Sequence, residues 1–233
     1  MQNTDKIVVI SGSTGFLGEY VVKEFSREGF HVVALHSGTK NSRELFETKF
    51  GNLKHVTPFA IDVTNEESVR SGIQKILSKF SQIDILCNLV GGYTPKVKIE
   101  DVTCEDWDRL FSLNVRAAFL MIKYVLPAMK QKMRGRIVNI AAKPGLEPEE
   151  GRGAYGVSKA GLIFLTQIVA LELKLLKNSD ITINAIVPSI ITTKDKAISK
   201  SEIAAEEISE KIFNLCTHES SKINETIITM YGN

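Results

Sequence analysis

The sequence predicts an α/β protein built on a single doubly wound, parallel, seven-stranded sheet with helices on both faces. Short apolar runs alternate with longer helical patterns along all 233 residues. Seven strands separated by helices imply parallel crossovers, and a closed barrel of this kind would need eight repeats. No linker, internal repeat or low-complexity tract interrupts the pattern, so residues 1–233 are predicted to form one domain.

The predicted strands are short apolar runs bounded by turn residues: Lys6–Ile10, Phe30–Leu35, Val56–Ile61, Ile83–Asn88, Arg136–Ile140, Ile181–Val187 and Thr226–Tyr231. The predicted helices have apolar residues at three- and four-residue spacing: Phe16–Glu28, Ser42–Phe50, Ser68–Phe80, Glu105–Lys132, Ala154–Leu176 and Ser201–Cys216. A capping box is predicted at Thr64-Asn65-Glu66-Glu67, and Thr103 is a predicted N-cap. The segments that follow the strands are expected to form one cleft, because ligands bind beyond the carboxyl ends of such sheets.

The composition argues against two classes of partner. The chain has 29 Lys and Arg against 27 Asp and Glu, a net charge of +2, and 7% of its residues are aromatic. We therefore expect no nucleic acid, because proteins that bind it carry a basic patch or stripe. The longest apolar stretch, Ala117 to Met129, is broken by Lys123 and Pro127. It falls short of the roughly 18 residues that a membrane span requires, so no membrane is expected.

Cysteine and histidine usage adds further exclusions. The cysteines are odd in number and widely spaced, which argues against a disulfide scaffold: Cys87, Cys104 and Cys216. No signal-peptide layout is found at the N-terminus, so the expected location is cytoplasmic. Three of the histidines have a spacing that does not suit metal ligands: His31, His55 and His218. No metal site is predicted.

A glycine-rich turn lies between the first predicted strand and the first predicted helix. Gly12 suits the tight turn, Gly15 lets a pyrophosphate approach the main chain, and Gly18 lets the helix pack on the strand. The helix N-terminus would present free N–H groups to the phosphates. Its position at the start of a βαβ unit favours a Rossmann-like dinucleotide site over a simple turn. The predicted loop residues are Gly12, Ser13, Thr14, Gly15, Phe16, Leu17 and Gly18.

The end of the second predicted strand indicates which dinucleotide is bound. An acidic residue is usual here when a free ribose 2′-hydroxyl is recognised, as in NAD. This segment has no carboxylate and offers His36 and Ser37 instead. Hydroxyls and cations suit a 2′-phosphate, so NADP is favoured and NAD is the less favoured alternative. Taken singly, Lys40 and Arg43 fit a solvated helix start as well as they fit a contact with the 2′-phosphate.

Tyr155 and Lys159 form a candidate catalytic pair. A spacing of four places them on one helical face, one turn apart. An isolated phenol has a pKa of about 10, and a neighbouring ammonium is expected to bring it towards neutral pH. Such a phenol could act as a general acid or base. Taken alone, the pair is common by chance and would be interpreted as a surface pair.

Further motifs accompany this pair in a fixed order along the chain: Asp62-Val63 after the third strand, Asn88-Leu89-Val90-Gly91 after the fourth, Asn114 in the long helix and Pro188 after the sixth strand. With them the chain resembles the short-chain dehydrogenase/reductase family over essentially its whole length. The resemblance implies that Tyr155 donates or accepts the proton, that Lys159 also binds the nicotinamide ribose, and that Asn114 holds a water of the proton relay. It also implies cofactor contacts by Asp62, Val63, Asn88, Val90, Gly91, Pro188, Ile191 and Thr193.

Ala142 is the main departure from the family pattern. The family's catalytic serine normally lies 13 residues before the tyrosine, and both Ala141 and Ala142 lack a hydroxyl. That hydroxyl would donate to the substrate oxygen as charge develops. Losing one such donor costs roughly 3–4 kcal/mol, or about 100- to 1,000-fold in rate. Lys143 is interpreted as a surface lysine and not as a replacement donor, and Ser158 is expected to face away from Tyr155.

The substrate side offers few candidate groups. The segment that commonly forms a lid in this family, Lys194 to Lys200, is short and polar here, which predicts an open cleft or one covered by a neighbouring subunit. Four charged residues before Tyr155 could face the substrate: Glu147, Glu149, Glu150 and Arg152. Charges on a loop are more often solvated, so we expect most of them to be so.

Two functions of different classes follow. The preferred one is an NADP-dependent oxidoreductase that acts on a small-molecule carbonyl or alcohol. The alternative is a cofactor-binding module, a sensor or assembly partner that has lost efficient catalysis. Retention of Tyr155, Lys159 and Asn114 favours the enzyme, whereas Ala142 favours the alternative. The resemblance also implies a homodimer or homotetramer that pairs through the long helices.

Overall fold

The computed structural model describes residues 5–193, 201–217, 223–224 and 226–232. The predicted lid, Lys194 to Lys200, and His218 lie outside these residues. The strands are β1 (Ile7–Ser11), β2 (His31–His36), β3 (Val56–Ala60), β4 (Ile85–Asn88), β5 (Arg134–Ile140), β6 (Asp180–Pro188), β7 (Ile190–Thr192), β8 (Glu202–Ala204) and β9 (Ile227–Met230). The helices are α1 (Phe16–Arg27), α2 (Lys40–Phe50), α3 (Glu66–Phe80), α4 (Cys104–Phe111), α5 (Ala117–Lys132), α6 (Gly153–Lys174) and α7 (Ala205–Thr217).

Seven of the strands form one parallel sheet in the order β3-β2-β1-β4-β5-β6-β9. This confirms the predicted doubly wound architecture. The chain reverses its direction of progress along the sheet between β1 and β4, and a crevice opens at such a switch point beyond the carboxyl ends of the strands. The glycine turn and the residues after β4 therefore meet at the same edge.

Two core layers, one on each face of the sheet, bury the central strands. Along β1, Ile7 and Val9 point into the layer covered by α3, α5 and α6, while Val8 and Ile10 point into the layer covered by α1, α2 and α7. Burial on both faces explains why β1 is apolar without alternation.

Helix starts account for two corrections. The last helix begins at Ala205 and not at Ser201, because the residues before it form β8, which pairs with β7 in a separate two-stranded sheet. Three-residue strands are too short to show a periodicity. Helix α3 is capped by Asn65, whose side chain accepts from the Ser68 N–H at 2.9 Å, and not by Thr64, whose hydroxyl donates to Asp62.

Two helical segments, 104–132 and 153–174, are long and apolar enough to cross a membrane by length and composition, although the sequence analysis predicted none. About half of the most apolar window of each is buried in the fold, 50% and 44%. Core helices that pack on a sheet pass the same test, so the observation gives no argument for a membrane span.

Candidate active site

The turn between β1 and α1 lies directly against the segment that follows β4. Gly12 has a φ of +71°, and a Cβ there would lie 3.0 Å from both the Leu89 carbonyl carbon and the Val90 nitrogen. Gly15 is the N-cap of α1 and offers no side-chain cap. The first N–H groups of α1 thus stay available to an anion, as in a phosphate-binding loop.

A cavity of about 220 Å³ lies at the carboxyl ends of β1, β2, β3 and β4. Seven of the predicted cofactor residues line it: Gly12, Thr14, His36, Ser37, Asp62, Val63 and Val90. Leu35 and Ile61 add apolar walls, which suit a flat ring, while the open glycine turn suits phosphates. The residues present therefore fit the adenosine half of a dinucleotide.

The end of β2 is built from hydroxyl groups and a neutral histidine. Burial, and then the positive charge of Arg43, lowers the pKa of His36. The His36 Nδ1 atom accepts from the Gly38 N–H at 3.1 Å. The hydroxyls of Ser37 and Thr39 lie 3.3 Å apart, and Thr39 is the N-cap of α2. This arrangement leaves two hydroxyls beside a helix N-terminus, without a carboxylate.

Two predicted cofactor residues direct their side chains into the protein. The buried Ser13 hydroxyl donates to the Leu35 carbonyl at 2.7 Å. The Asn88 amide donates to Asn139 Oδ1 at 2.8 Å, and Asn139 in turn donates to Thr166 on α6 at 2.8 Å. These side chains tie the strands and helix together beneath the groove.

Asn114 lies where the predicted long helix is interrupted. A π-helical turn at Ser112–Arg116 separates α4 from α5, and such turns are frequent at functional sites. The buried Asn114 amide accepts from the Gly92 N–H at 2.9 Å and donates to the Gly92 carbonyl at 3.0 Å and to Ser158 Oγ at 2.9 Å. The turn therefore fixes Asn114 between the loop after β4 and helix α6.

Lys159 reaches the same point from α6. Its Nζ donates to the Ile140 carbonyl at 2.9 Å, and burial lowers the pKa of Lys159 to about 8. A Cβ added at Gly91 would lie 2.9 Å from Asn114 Oδ1 and 3.1 Å from Lys159 Nζ. Gly91 thus marks the place where the amide and the ammonium converge.

Tyr155 is partly buried, and its electrostatic surroundings differ from the prediction. Burial raises the pKa of Tyr155, and the guanidinium of Arg152 opposes that rise. The expected lowering by Lys159 is not found in this structure. The Lys159 ammonium is directed at the Ile140 carbonyl, and burial lowers its own pKa.

Ala142 lies in the extended segment that leaves β5, and it is buried, with a relative exposure of 6%. The carbonyl of Ile140, two residues earlier, holds the Lys159 ammonium. Lys143 Nζ lies 3.3 Å from a Glu147 carboxylate oxygen and 4.8 Å from the Tyr231 ring centroid. Lys143 is thereby engaged with Glu147 and Tyr231, and nothing in these contacts makes it a substitute for the hydroxyl missing at Ala142.

Comparison with known proteins leads to the same family as the sequence motifs. The family model described as short chain dehydrogenase matches residues 6–203. The chain is a short-chain dehydrogenase/reductase. This is a family of oxidoreductases that bind NAD(P), as the sequence resemblance implied.

Relatives and solved structures extend the comparison. The 3-oxoacyl-[acyl-carrier-protein] reductase FabG of Thermotoga maritima is 27% identical over 100% of this chain and 98% of that protein. The D-beta-hydroxybutyrate dehydrogenase of Rhizobium meliloti is 31% identical over 81% of this chain and 72% of the relative. The structure of ElxO with NADP bound has a TM-score of 0.88 at 24% identity and covers 97% of both chains, which is a likeness of fold.

The remaining family positions lie at the end of β6 and in the segment that follows it. Pro188 ends β6, Ile191 lies in β7, and Thr193 follows β7 at the edge of the described residues. Ser158 was not among the predicted site residues of this short-chain dehydrogenase/reductase, but it contacts two of them. Its buried hydroxyl accepts from Asn114 and donates to the Tyr155 backbone carbonyl at 2.8 Å. Its spacing from Tyr155, three residues along one helix, was the available signal.

Proposed function

We propose that this protein is an NADP(H)-dependent carbonyl reductase or alcohol dehydrogenase with Tyr155 as the proton donor and acceptor. The observation that supports it most is the convergence of Asn114 and Lys159 next to Gly91, with Ser158 bridging Asn114 to the backbone of Tyr155. A buried amide, ammonium and phenol at one sheet edge are the groups that a proton relay needs.

Each residue has a separate role in this proposal. The bound cofactor supplies or accepts a hydride. Tyr155 donates its proton to the substrate oxygen during reduction, which suits a phenol that burial keeps protonated. Lys159 binds the nicotinamide ribose, and Asn114 positions the water that returns the proton. Ala142 supplies no donor, so the developing charge on the substrate oxygen depends on Tyr155.

We propose NADP over NAD as the cofactor because of the groups at the end of β2. The hydroxyls of Ser37 and Thr39 suit a 2′-phosphate, and so does the exposed Lys40 ammonium, although it lies 3.8 Å from a Glu44 carboxylate oxygen. Fluorescence titration should give at least about tenfold tighter binding of NADPH than of NADH, since a hydrogen bond to a charged group contributes about 1.5–3 kcal/mol. Ser37→Asp should reverse the preference. Equal binding of both cofactors would contradict this assignment.

The non-catalytic cofactor-binding module remains the second candidate, and Ala142 is the observation that favours it. A titration with NADPH, paired with turnover assays on ketones, aldehydes and quinones, separates the two functions. Turnover that depends on Tyr155 supports the enzyme. Tight NADPH binding without turnover of any compound supports the module.

We also propose that residues 1–233 act as one cytoplasmic domain that assembles into a homodimer or homotetramer. Apolar side chains on α6 and at its C-cap are exposed: Phe164 at 63%, Leu171 at 53% and the C-cap Leu175 at 81%. Pairing of such helices between subunits would remove this surface from water. Light scattering behind size-exclusion chromatography should give a mass of two or four chains, and a monomer at micromolar concentration would contradict the proposal.

A further inference from the structure

Two loops meet beside Tyr155, and neither is explained by cofactor binding. One follows Gly91 and the other leads into α6. The Val97 N–H donates to the Gly151 carbonyl at 2.9 Å, and Lys96 forms an ion pair with Glu149 at 2.6 Å. The first loop is anchored at Gly92 by Asn114. The contact therefore places the second loop at the border of the proposed relay.

Arg152 is the residue at which these two loops are joined most closely. Its Nη1 donates to the Thr94 carbonyl at 2.6 Å, and the guanidinium lies 5.6 Å from the Tyr93 ring centroid. Within the described part of the chain, no carboxylate oxygen lies within 4.0 Å of the Arg152 guanidinium. Its neighbour Glu149 pairs with Lys96 at 2.6 Å, and the charge of Arg152 acts on Glu149 from further away. A guanidinium has five N–H donors, so most of them remain for a ligand.

The position of Arg152 connects this cation to the reacting centre. Arg152 is the N-cap of α6, and Tyr155 lies three residues further along, in the first turn of the helix. The charge of Arg152 also acts on the phenol, whose pKa it lowers against the effect of burial. Cation and phenol thus share one partly desolvated region.

We propose that Arg152 binds a carboxylate of the substrate, which makes the substrate a small oxo or hydroxy acid. This inference rests on the proposed function and assigns its substrate class. A guanidinium held at a fixed position presents a planar fork that a carboxylate matches. Arg152 and Lys96 share the single carboxylate of Glu149, so this region has one cation in excess. One excess cation matches a monoanion better than a phosphate dianion. Because the charge of Arg152 reaches the Tyr155 phenol, we expect only a few bonds between the carbonyl and the carboxylate of the substrate.

The proposal also bears on Ala142. Without a hydroxyl at that position, the substrate carbonyl lacks one of its two expected partners. An anchor on a remote carboxylate orients the carbonyl towards Tyr155 and supplies binding energy away from the reacting atoms. Arg152 would therefore recover part of the positioning that the missing serine supplies in the family.

Calorimetric titration of acetoacetate into the protein saturated with NADP⁺ tests this directly, because ketone and oxidised cofactor cannot react. Methyl acetoacetate is the uncharged match. Arg152→Met should weaken acetoacetate binding about 10- to 100-fold, the range for losing a hydrogen bond to a charged group, and leave the ester unchanged. Arg152→Gln removes the charge but keeps an amide donor for the Thr94 carbonyl, and it should bind acetoacetate as weakly as Arg152→Met does. Arg152→Lys should retain binding within about tenfold.

Lys143→Met is the matched control. It removes a cation from the same loop, but Glu147 already neutralises that cation. It should bind acetoacetate as the wild type does. Equal affinity of the wild type for acid and ester, or Arg152 variants that bind the acid normally, would overturn the assignment while leaving the reductase proposal intact. Failure to bind NADP⁺ or NADPH at all would instead overturn the proposed function, and this inference with it.

Discussion

The two walls of the candidate active site differ in their polar groups. The wall formed by α6 carries Tyr155, Ser158 and Lys159, and hydrogen bonds connect it to Asn114. The wall formed by the end of β5 carries Ala142, a buried methyl group where the family pattern has a serine. One wall carries the groups that we propose for proton transfer, and the other lacks the hydroxyl that the family resemblance predicts there.

Because the walls differ, the contribution of proton transfer and the contribution of charge stabilisation can be tested separately. Ser158 and Asn114 also hold the π-helical turn on α6, so the fold itself accounts for them. Lys159 has no such explanation. Its ammonium is buried with a pKa of about 8, so it destabilises the folded protein at neutral pH. A residue that lowers stability and lies beside Gly91 is best explained by a role in the proposed site, where it would bind the nicotinamide ribose.

The largest effect is expected on the α6 wall. Tyr155→Phe should lower turnover about 10³-fold, in the range for loss of a general acid, while NADPH binding stays unchanged. Steady-state assays and a fluorescence titration measure the two quantities. Tyr124→Phe is the control, since its hydroxyl contacts Glu66 on the surface at 2.9 Å. Unchanged turnover in Tyr155→Phe would show that the proton comes from another group.

Restoring the β5 wall is expected to give the next largest effect. Ala142→Ser should raise kcat about 100- to 1,000-fold on the same substrate, because one preorganised donor is added. Ala141→Ser is the matched control. Its side chain packs with Leu162, Ile163 and Val187, so it should lower stability without raising the rate. No gain in Ala142→Ser would mean that the substrate oxygen does not lie at this wall.

Lys159→Met tests how much the buried ammonium on the α6 wall lowers the stability of the protein. The folded-state pKa of about 8 lies below the ordinary value of 10.5, so the unfolded chain binds more protons between these pH values and wild-type stability rises with pH there. The variant should therefore be more stable than the wild type by about 3 kcal/mol at pH 7, with the difference shrinking towards pH 10.5. Urea unfolding at pH 7 and pH 10 measures this.

Lys123→Met, a change of an exposed lysine, is the control for that series. It should not reproduce the gain at pH 7. A Lys159→Met protein less stable than the wild type at both pH values would mean that the bond to the Ile140 carbonyl outweighs the burial of the charge.

The smallest effect concerns the support shared by both walls. Asn139 on β5 accepts from Asn88 and donates to Thr166 of α6. Asn139→Ala should lower the free energy of unfolding by about 2 kcal/mol, since two buried partners lose a hydrogen bond. The exposed Asn52→Ala should change it by less than about 0.5 kcal/mol. If Asn139→Ala were as stable as the wild type, the buried amide chain would not be a support of the site.

Much of the fold was predictable because its signals are local. The apolar runs of β1 and β4 are buried on both faces and need no partner to be recognised. The β7 and β8 pair was missed because three residues carry no periodicity. The π-helical turn at Asn114 was missed because the residues around it continue a helical pattern, and its hydrogen bonds run to Gly92 and Ser158, both distant in sequence.

The amino-acid order alone determined which residues share a strand, a helical face or a turn, since spacing along the chain fixes those relations. It placed the glycine turn after β1, paired Tyr155 with Lys159 and showed that position 142 has no hydroxyl. Only the tertiary structure decided which cation acts on the pKa of the Tyr155 phenol. Arg152 does so because a loop 58 residues away in sequence holds its guanidinium in place, whereas Lys159 is directed to the Ile140 carbonyl. Side-chain direction of this kind depends on contacts between distant segments.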